Sequence, residues 1–219
     1  MSRKRIECLY AVTPEASDTD WLCERAGAVL AGGARVIQYR SKSPDVRLRR
    51  EQVDRLFELC RLRAALLIVN DDVALAREAG ADGVHLGRTD MSPAAARAVL
   101  GDAALIGVSC YDSLERAQIA QDAGADYVAF GSFFRSSSKP DAVRAPVELL
   151  RVARAALDLP IVAIGGITAE NGRMLIEAGA DALAVVSALF HVPDSLAAAR
   201  ALTALFETRE QSMCVGSHP

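Results

Sequence analysis

One plan recurs three times along this chain: Glu78-Ala-Gly-Ala-Asp-Gly-Val-His-Leu-Gly, Asp122-Ala-Gly-Ala-Asp-Tyr-Val-Ala-Phe-Gly and Glu177-Ala-Gly-Ala-Asp-Ala-Leu-Ala-Val-Val. Each copy reads as a helix end, a glycine stop, an aspartate and a short apolar strand. Repetition of that kind marks serial strand–helix units. The rest of the pattern fills the gaps. Strands are expected at residues 8–12, 35–39, 66–69, 83–86, 104–108, 127–130, 161–164 and 183–186. Helices are expected at 18–31, 44–61, 73–79, 93–100, 113–123, 146–157, 169–178 and 193–206. Pro44, Pro93, Pro146 and Pro193 sit near helix starts, where a missing N–H costs nothing. Eight alternating units in 219 residues favour one α/β domain, a closed (β/α)8 TIM barrel, over a doubly wound sheet. The barrel should span residues 1–207, and the polar, aperiodic stretch 208–219 is expected to be a disordered tail.

Composition narrows the function classes. Half of the residues (51%) are apolar but only 5% are aromatic, so the core is built from Ala, Val, Leu and Ile, as a helix-covered parallel sheet requires. A net charge of −3 argues against nucleic acid as the main partner, despite the cluster Arg47, Arg49 and Arg50. The five cysteines are odd in number and form no C-x-x-C pair, which suits a reducing cytoplasm. The basic start Met-Ser-Arg-Lys-Arg leads into an apolar segment soon broken by Thr13-Pro14, so neither a signal peptide nor a membrane span is expected.

On a barrel, chemistry belongs to the loops that follow the strands. The first exit, Thr13-Pro14-Glu15, shows no obvious chemistry. The second, Gln38-Tyr-Arg-Ser-Lys, places Gln38, Arg40 and Lys42 on one side by alternation, a donor set suited to an anion. A solvated basic edge is the plainer reading of the same residues. Exits three and four supply Asn70, Asp71 and Asp90. Two carboxylates at one mouth suit a hard cation such as Mg²⁺; alternatively Asp71 only caps its helix. His85 reads as a packed strand residue more readily than as a catalyst. Ser109, at exit five, can bond an oxyanion or its own backbone.

The longest loop follows strand six: Ser136-Ser-Ser-Lys139 within it resembles a phosphate-gripping lid, or else a polar solvent loop. Gly165-Gly166 and Val186-Ser187 leave strands seven and eight, where backbone N–H groups recurrently hold phosphate. The mouth therefore provides for two anionic groups, a monophosphate and a metal-chelated polyphosphate. No Ser-His-Asp set, no obvious Schiff-base lysine and no acid–base carboxylate after strand one is apparent. The expected chemistry is departure of a diphosphate, stabilised by cations.

These residues resemble the thiamine phosphate synthase (thiamine-phosphate pyrophosphorylase) family. The matching stretches are Leu9-Tyr-Ala-Val-Thr, Gln38-Tyr-Arg-Ser-Lys, Val69-Asn-Asp, Gly83-Val-His-Leu-Gly-Arg-Thr-Asp, Gly107-Val-Ser, Asp126-Tyr-Val-Ala-Phe-Gly-Ser-Phe-Phe and Ala163-Ile-Gly-Gly-Ile. They run in order over residues 9–205. The resemblance implies a transferase of thiamine biosynthesis that joins a hydroxymethylpyrimidine diphosphate to a thiazole phosphate and releases pyrophosphate. By position, Gln38, Arg40, Lys42, Asn70, Ser109 and Lys139 would hold the pyrimidine diphosphate. Ser136, Ser138, Gly166, Val186 and Ser187 would hold the thiazole phosphate, and Asp71 and Asp90 would bind Mg²⁺ as cofactor. Its partners would be the two phosphorylated substrates, with a homo-oligomer left open and no nucleic acid or membrane. Ser41 stands where the family usually has Glu, Arg88 where it usually has Gln, and serines 136–138 where threonines are commoner. Two rivals remain: a thiazole tautomerase of the same superfamily, with no need of the diphosphate set, and a non-catalytic ligand-binding barrel.

Overall fold

The computed structural model describes residues 6–135 and 143–215. Eight parallel strands close on themselves in sequence order: β1 (Cys8–Val12), β2 (Val36–Tyr39), β3 (Leu66–Asn70), β4 (Gly83–Leu86), β5 (Leu105–Tyr111), β6 (Tyr127–Phe130), β7 (Ile161–Ile164) and β8 (Ala182–Val185). Closure is made by β1 against β8, with Leu9 opposite Leu183. The expected TIM barrel is the observed fold. Outside it lie α1 (Thr19–Ala31), α2 (Val46–Leu62), α3 (Val73–Ala79), α4 (Pro93–Leu100), α5 (Leu114–Asp122), α6 (Glu148–Ala156), α7 (Gly172–Glu177), α8 (Ser187–Phe190) and α9 (Ser195–Val215). Among the described residues, no helix is long and apolar enough to cross a membrane.

Strand alternation divides the core in two. Leu9, Ile37, Leu67, Val84, Ile106, Val128 and Leu183 face the helices. Tyr10, Val36, Ile68, Leu105, Tyr127, Val162 and Ala182 fill the barrel interior. A Cβ at Gly107 would fall on the Tyr127 ring, so the missing side chain in β5 is what lets that ring lie across the barrel.

The recurrent aspartates explain themselves at the lower rim, the N-terminal ends of the strands. Asp82, Asp126 and Asp181 each precede an even-numbered strand and grip the preceding odd one twice. Their N–H groups donate to the carbonyls of Leu67, Ile106 and Ile161 at 2.7–2.8 Å. Their carboxylates accept from the N–H of the same three residues at 2.8–2.9 Å. Arg97 adds an ion pair to Asp126 at 2.5 Å, and Arg154 one to Asp181 at 2.8 Å. The glycines of this turn, Gly80, Gly124 and Gly179, have φ of 64°, 85° and 118°, a backbone that other residues adopt only with strain. Gly33-Ala34-Arg35 is a fourth, degenerate copy: Gly33 has φ 106° and Arg35 N–H donates to Leu9 O at 3.0 Å, but no carboxylate follows.

Three local differences from the sequence pattern matter. β5 runs on to Tyr111, so Ser109 lies inside a strand, just before a register shift, rather than in a loop. The chain after β8 forms the one-turn α8, too short for periodicity to reveal. The last helix, expected over 193–206, continues to Val215. Residues 207–215 hold Glu, Arg, Gln and Met, good helix formers, and no Gly or Pro occurs before Gly216.

Candidate active site

At the upper rim, the C-terminal ends of the strands, the interior turns polar. Gln38 near the end of β2 donates from Nε2 to Asn70 Oδ1 of β3 at 2.6 Å. One residue on, Asp71 has φ 63°, a left-handed conformation uncommon for a residue with a side chain and a mark of functional sites. Its N–H is tied to His85 O at 2.8 Å, which holds the turn in place between β3 and β4. Asp71 does not cap α3: Asp72 does, accepting from Leu75 N–H at 2.9 Å and pairing with Arg49 at 2.9 Å. The Asp71 side chain is thereby left for the mouth.

There it meets Asp90. Removal from water, the hydrogen bond with Asp90 and the charge of Asp90 raise the Asp71 carboxyl from an ordinary 3.8 to about 6, against the opposing pull of Arg40. Two carboxylates set this close together form a site wanting a cation. Asp90 is held from the other side, its Oδ2 accepting from Gly87 N–H at 2.6 Å. Among the described residues no third His, Cys, Asp or Glu converges to complete a metal cage. Two carboxylates with the remaining positions open fit Mg²⁺, which keeps waters and takes ligands from substrate phosphates. The Arg88 guanidinium, beside Asp90 in sequence, lies over the Tyr111 ring, 5.1 Å from its centroid, and Arg116 lies 5.6 Å from the same ring.

Glu15, which the sequence pattern passed over, organises the neighbouring loop. Its carboxylate accepts from Lys42 N–H at 2.9 Å and from Ser41 Oγ at 3.4 Å, and pairs with Arg40 at 3.4 Å. Thr13 Oγ1 accepts from Arg40 N–H at 2.9 Å. The only sequence signal was position: β1 is the spatial neighbour of β2, so its exit abuts the Gln38–Lys42 run.

Below the rim a chain of hydrogen bonds crosses the barrel. Tyr10 and Tyr127 hydroxyls lie 2.9 Å apart, Tyr127 Oη lies 3.1 Å from His85 Nδ1, and His85 Nε2 lies 2.9 Å from Ser109 Oγ. Burial lowers His85 to about 4, so the imidazole is neutral at physiological pH. His85 is thus a packed residue, as the bland reading had it, but one bonded to a residue of the mouth.

On the opposite side, the β7 exit is pressed against the β6 exit. Phe133 and Phe134 N–H donate to Ile164 O at 3.2 Å and Gly165 O at 3.0 Å. A Cβ on Gly165 would strike Ser132 and one on Gly166 the Arg135 carbonyl, so these glycines make room for the chain itself. Asn171 Nδ2 donates to Gly166 O at 3.0 Å and fixes the turn. Val186 follows β8 at the same rim and Ser187 opens α8, the short extra helix that often accompanies a phosphate site here. Ser136, Ser138 and Lys139 lie outside the described residues.

Comparison with known proteins agrees with this layout. A thiamine-phosphate synthase of Azoarcus sp. (strain BH72) is 57% identical over 203 residues, 93% of this chain and 98% of that protein. One from Thiobacillus denitrificans (strain ATCC 25259 / T1) is 56% identical over 90% of this chain and 94% of its own. Among solved structures, a thiamine phosphate pyrophosphorylase from Pyrococcus furiosus superposes with a TM-score of 0.83 at 35% identity, covering 92% of this chain and 96% of the other. The family described as thiamine monophosphate synthase matches residues 9–189, and with barrel, mouth and relatives in accord the chain belongs to that family.

Proposed function

We propose that this transferase joins 4-amino-2-methyl-5-hydroxymethylpyrimidine diphosphate to 4-methyl-5-(2-phosphoethyl)thiazole, forming thiamine monophosphate and pyrophosphate. The observation that carries the reading is the Asp71–Asp90 pair at the exits of β3 and β4, with Arg40 close enough to act on its charge. Gln38, Arg40, Lys42, Asn70 and Ser109, with Lys139, bind the diphosphate; Gly166, Val186 and Ser187, with Ser136 and Ser138, bind the thiazole phosphate. Asp71 and Asp90 would hold Mg²⁺, which when bound neutralises charge on the leaving pyrophosphate.

The chain's own residues do the rest by position and charge. Arg40 and Lys42 face the negative charge that develops as the C–O bond to the diphosphate breaks. Glu15 holds both on one loop and so reduces the reorganisation needed at that moment. The thiazole nitrogen then attacks the pyrimidine methylene, now the centre of the cation, from a substrate anchored through its phosphate at the β7 and β8 exits. No general base is required, because the attacking nitrogen carries no proton to lose. That agrees with a mouth in which His85 is buried and hydrogen-bonded at both ring nitrogens.

The test is pyrophosphate release with both precursors, with and without Mg²⁺. Release that needs both substrates and the metal is the expected result. No release, with the thiazole phosphate still bound, would move the assignment to a tautomerase or a binding protein.

A further inference from the structure

We infer that Tyr10, Tyr127 and His85 are positioning residues that dictate which way the Ser109 hydroxyl donates, aiming its proton into the mouth at the bound anion. This rests on the reading of Ser109 as a diphosphate contact.

The row Tyr10–Tyr127–His85–Ser109 can run in two directions, because every member except the imidazole both donates and accepts, and the neutral imidazole donates from one nitrogen and accepts at the other. In one direction Ser109 donates to Nε2, Nδ1–H donates to Tyr127, and Tyr127 donates to Tyr10. The Tyr10 proton is then left over. Tyr10 is 1% exposed and packed among Val12, Val36 and Ile68, with no other hydrogen-bond acceptor among the described residues. A buried donor without an acceptor carries its whole desolvation cost.

In the other direction Tyr10 donates to Tyr127, Tyr127 to Nδ1, and Nε2–H to Ser109. Every proton inside the barrel is then used. What remains over is the Ser109 proton, and Ser109 is the one member that opens on the mouth, where water or an anion takes it. The dry end of the row therefore sets the polarity of the wet end. A serine whose oxygen already accepts from the imidazole keeps its O–H free to donate, which suits a phosphoryl oxygen. The register of β5 shifts between Ser109 and Tyr111, next to this hydroxyl in the chain.

Two measurements decide it. The ¹⁵N spectrum of histidine-labelled protein, with His85 assigned by the signal lost in His85→Gln, should show Nε2 protonated and Nδ1 bare. Protonation at Nδ1 alone would overturn the inference. Binding of inorganic pyrophosphate with Mg²⁺ present should then be measured for wild type, Tyr127→Phe, Ser109→Ala and the double variant. Tyr127→Phe should weaken binding about tenfold in the wild-type background and almost not at all beside Ser109→Ala, since a misdirected serine matters only where there is a serine. An equal loss in both backgrounds would mean that Tyr127 acts through packing alone, and would sink the proposal. Wild type that fails to bind pyrophosphate would count against the substrate reading, while the tautomer would still be settled by the spectrum. If Tyr127→Phe does not fold, the wild-type spectrum decides.

Discussion

At the lower rim of the barrel Asp126 accepts from the Ile106 N–H and from Arg97, and Asp181 accepts from Ile161 and Arg154. At the upper rim Asp71 and Asp90 turn toward each other, and one is raised to about 6 by the encounter. The same residue type serves opposite ends. Below, each charge meets donors supplied by the chain, and the result is a strand fixed to its neighbour. Above, two charges crowd one space, on a left-handed residue, and among the described residues no cation is bonded between them. A fold can bear such a place only if it is secured elsewhere, and the clamps under β4, β6 and β8 are where it is secured.

The contrast can be broken by exchanging what is removed. Asp71→Asn is expected to cut turnover about a hundredfold or more, the scale of losing a principal electrostatic group in the mouth. Its thermal midpoint should stay level or rise, because a like-charge contact is relieved. A large drop in melting temperature would show that the upper pair is structural after all. Asp126→Asn should do the reverse, costing about 2–4 kcal/mol in urea denaturation by removing the charge that faces the Arg97 guanidinium in a largely buried ion pair. Turnover per folded molecule should stay within about twofold.

The proton that Asp71 keeps up to about pH 6 gives a finer test. Asp71 binds its proton more tightly in the folded protein than in the unfolded chain, so without metal this pair weakens the fold as pH rises from 3.8 toward 6. A cation must displace that proton. Calorimetric Mg²⁺ affinity should therefore be level above pH 6 and fall by up to about tenfold per unit below it, with proton release on binding in that range. An affinity flat from pH 7 to 5 would separate Asp71 from the metal. Smallest is the effect of Arg88→Gln. With its guanidinium over Tyr111, Arg88 should cost less than about 1 kcal/mol to remove, and Mg²⁺ affinity should rise no more than about threefold, read in the same titrations.

How much of this was legible in the sequence depended on distance along the chain. The lower rim was announced three times by Ala-Gly-Ala-Asp, since each clamp joins units that follow one another; only Gly33-Ala34-Arg35 was too altered to notice. Asp71 and Asp90 were legible because each follows its own strand, although only the structure shows Asp72 taking over the cap. The row from Tyr10 to Ser109 was not legible. It joins β1, β6, β4 and β5, with Tyr10 and Tyr127 separated by 117 positions, and no local pattern records which interior side chains meet in the middle of a barrel. Glu15 escaped for the same reason, because it works on the loop of the next strand rather than its own.

The pairing of β1 with β8 has a consequence for the chain as it is made. Cys8 opens the first strand and Ala182 the last, and neither edge has its final neighbour until both exist. At about 5–20 residues per second, a ribosome needs on the order of ten to thirty seconds to extend from one to the other. For that interval the nascent sheet carries an open edge of apolar strand at each side, the kind of surface to which other chains add. The ring that leaves the finished molecule without an edge cannot close until its eighth strand has been made.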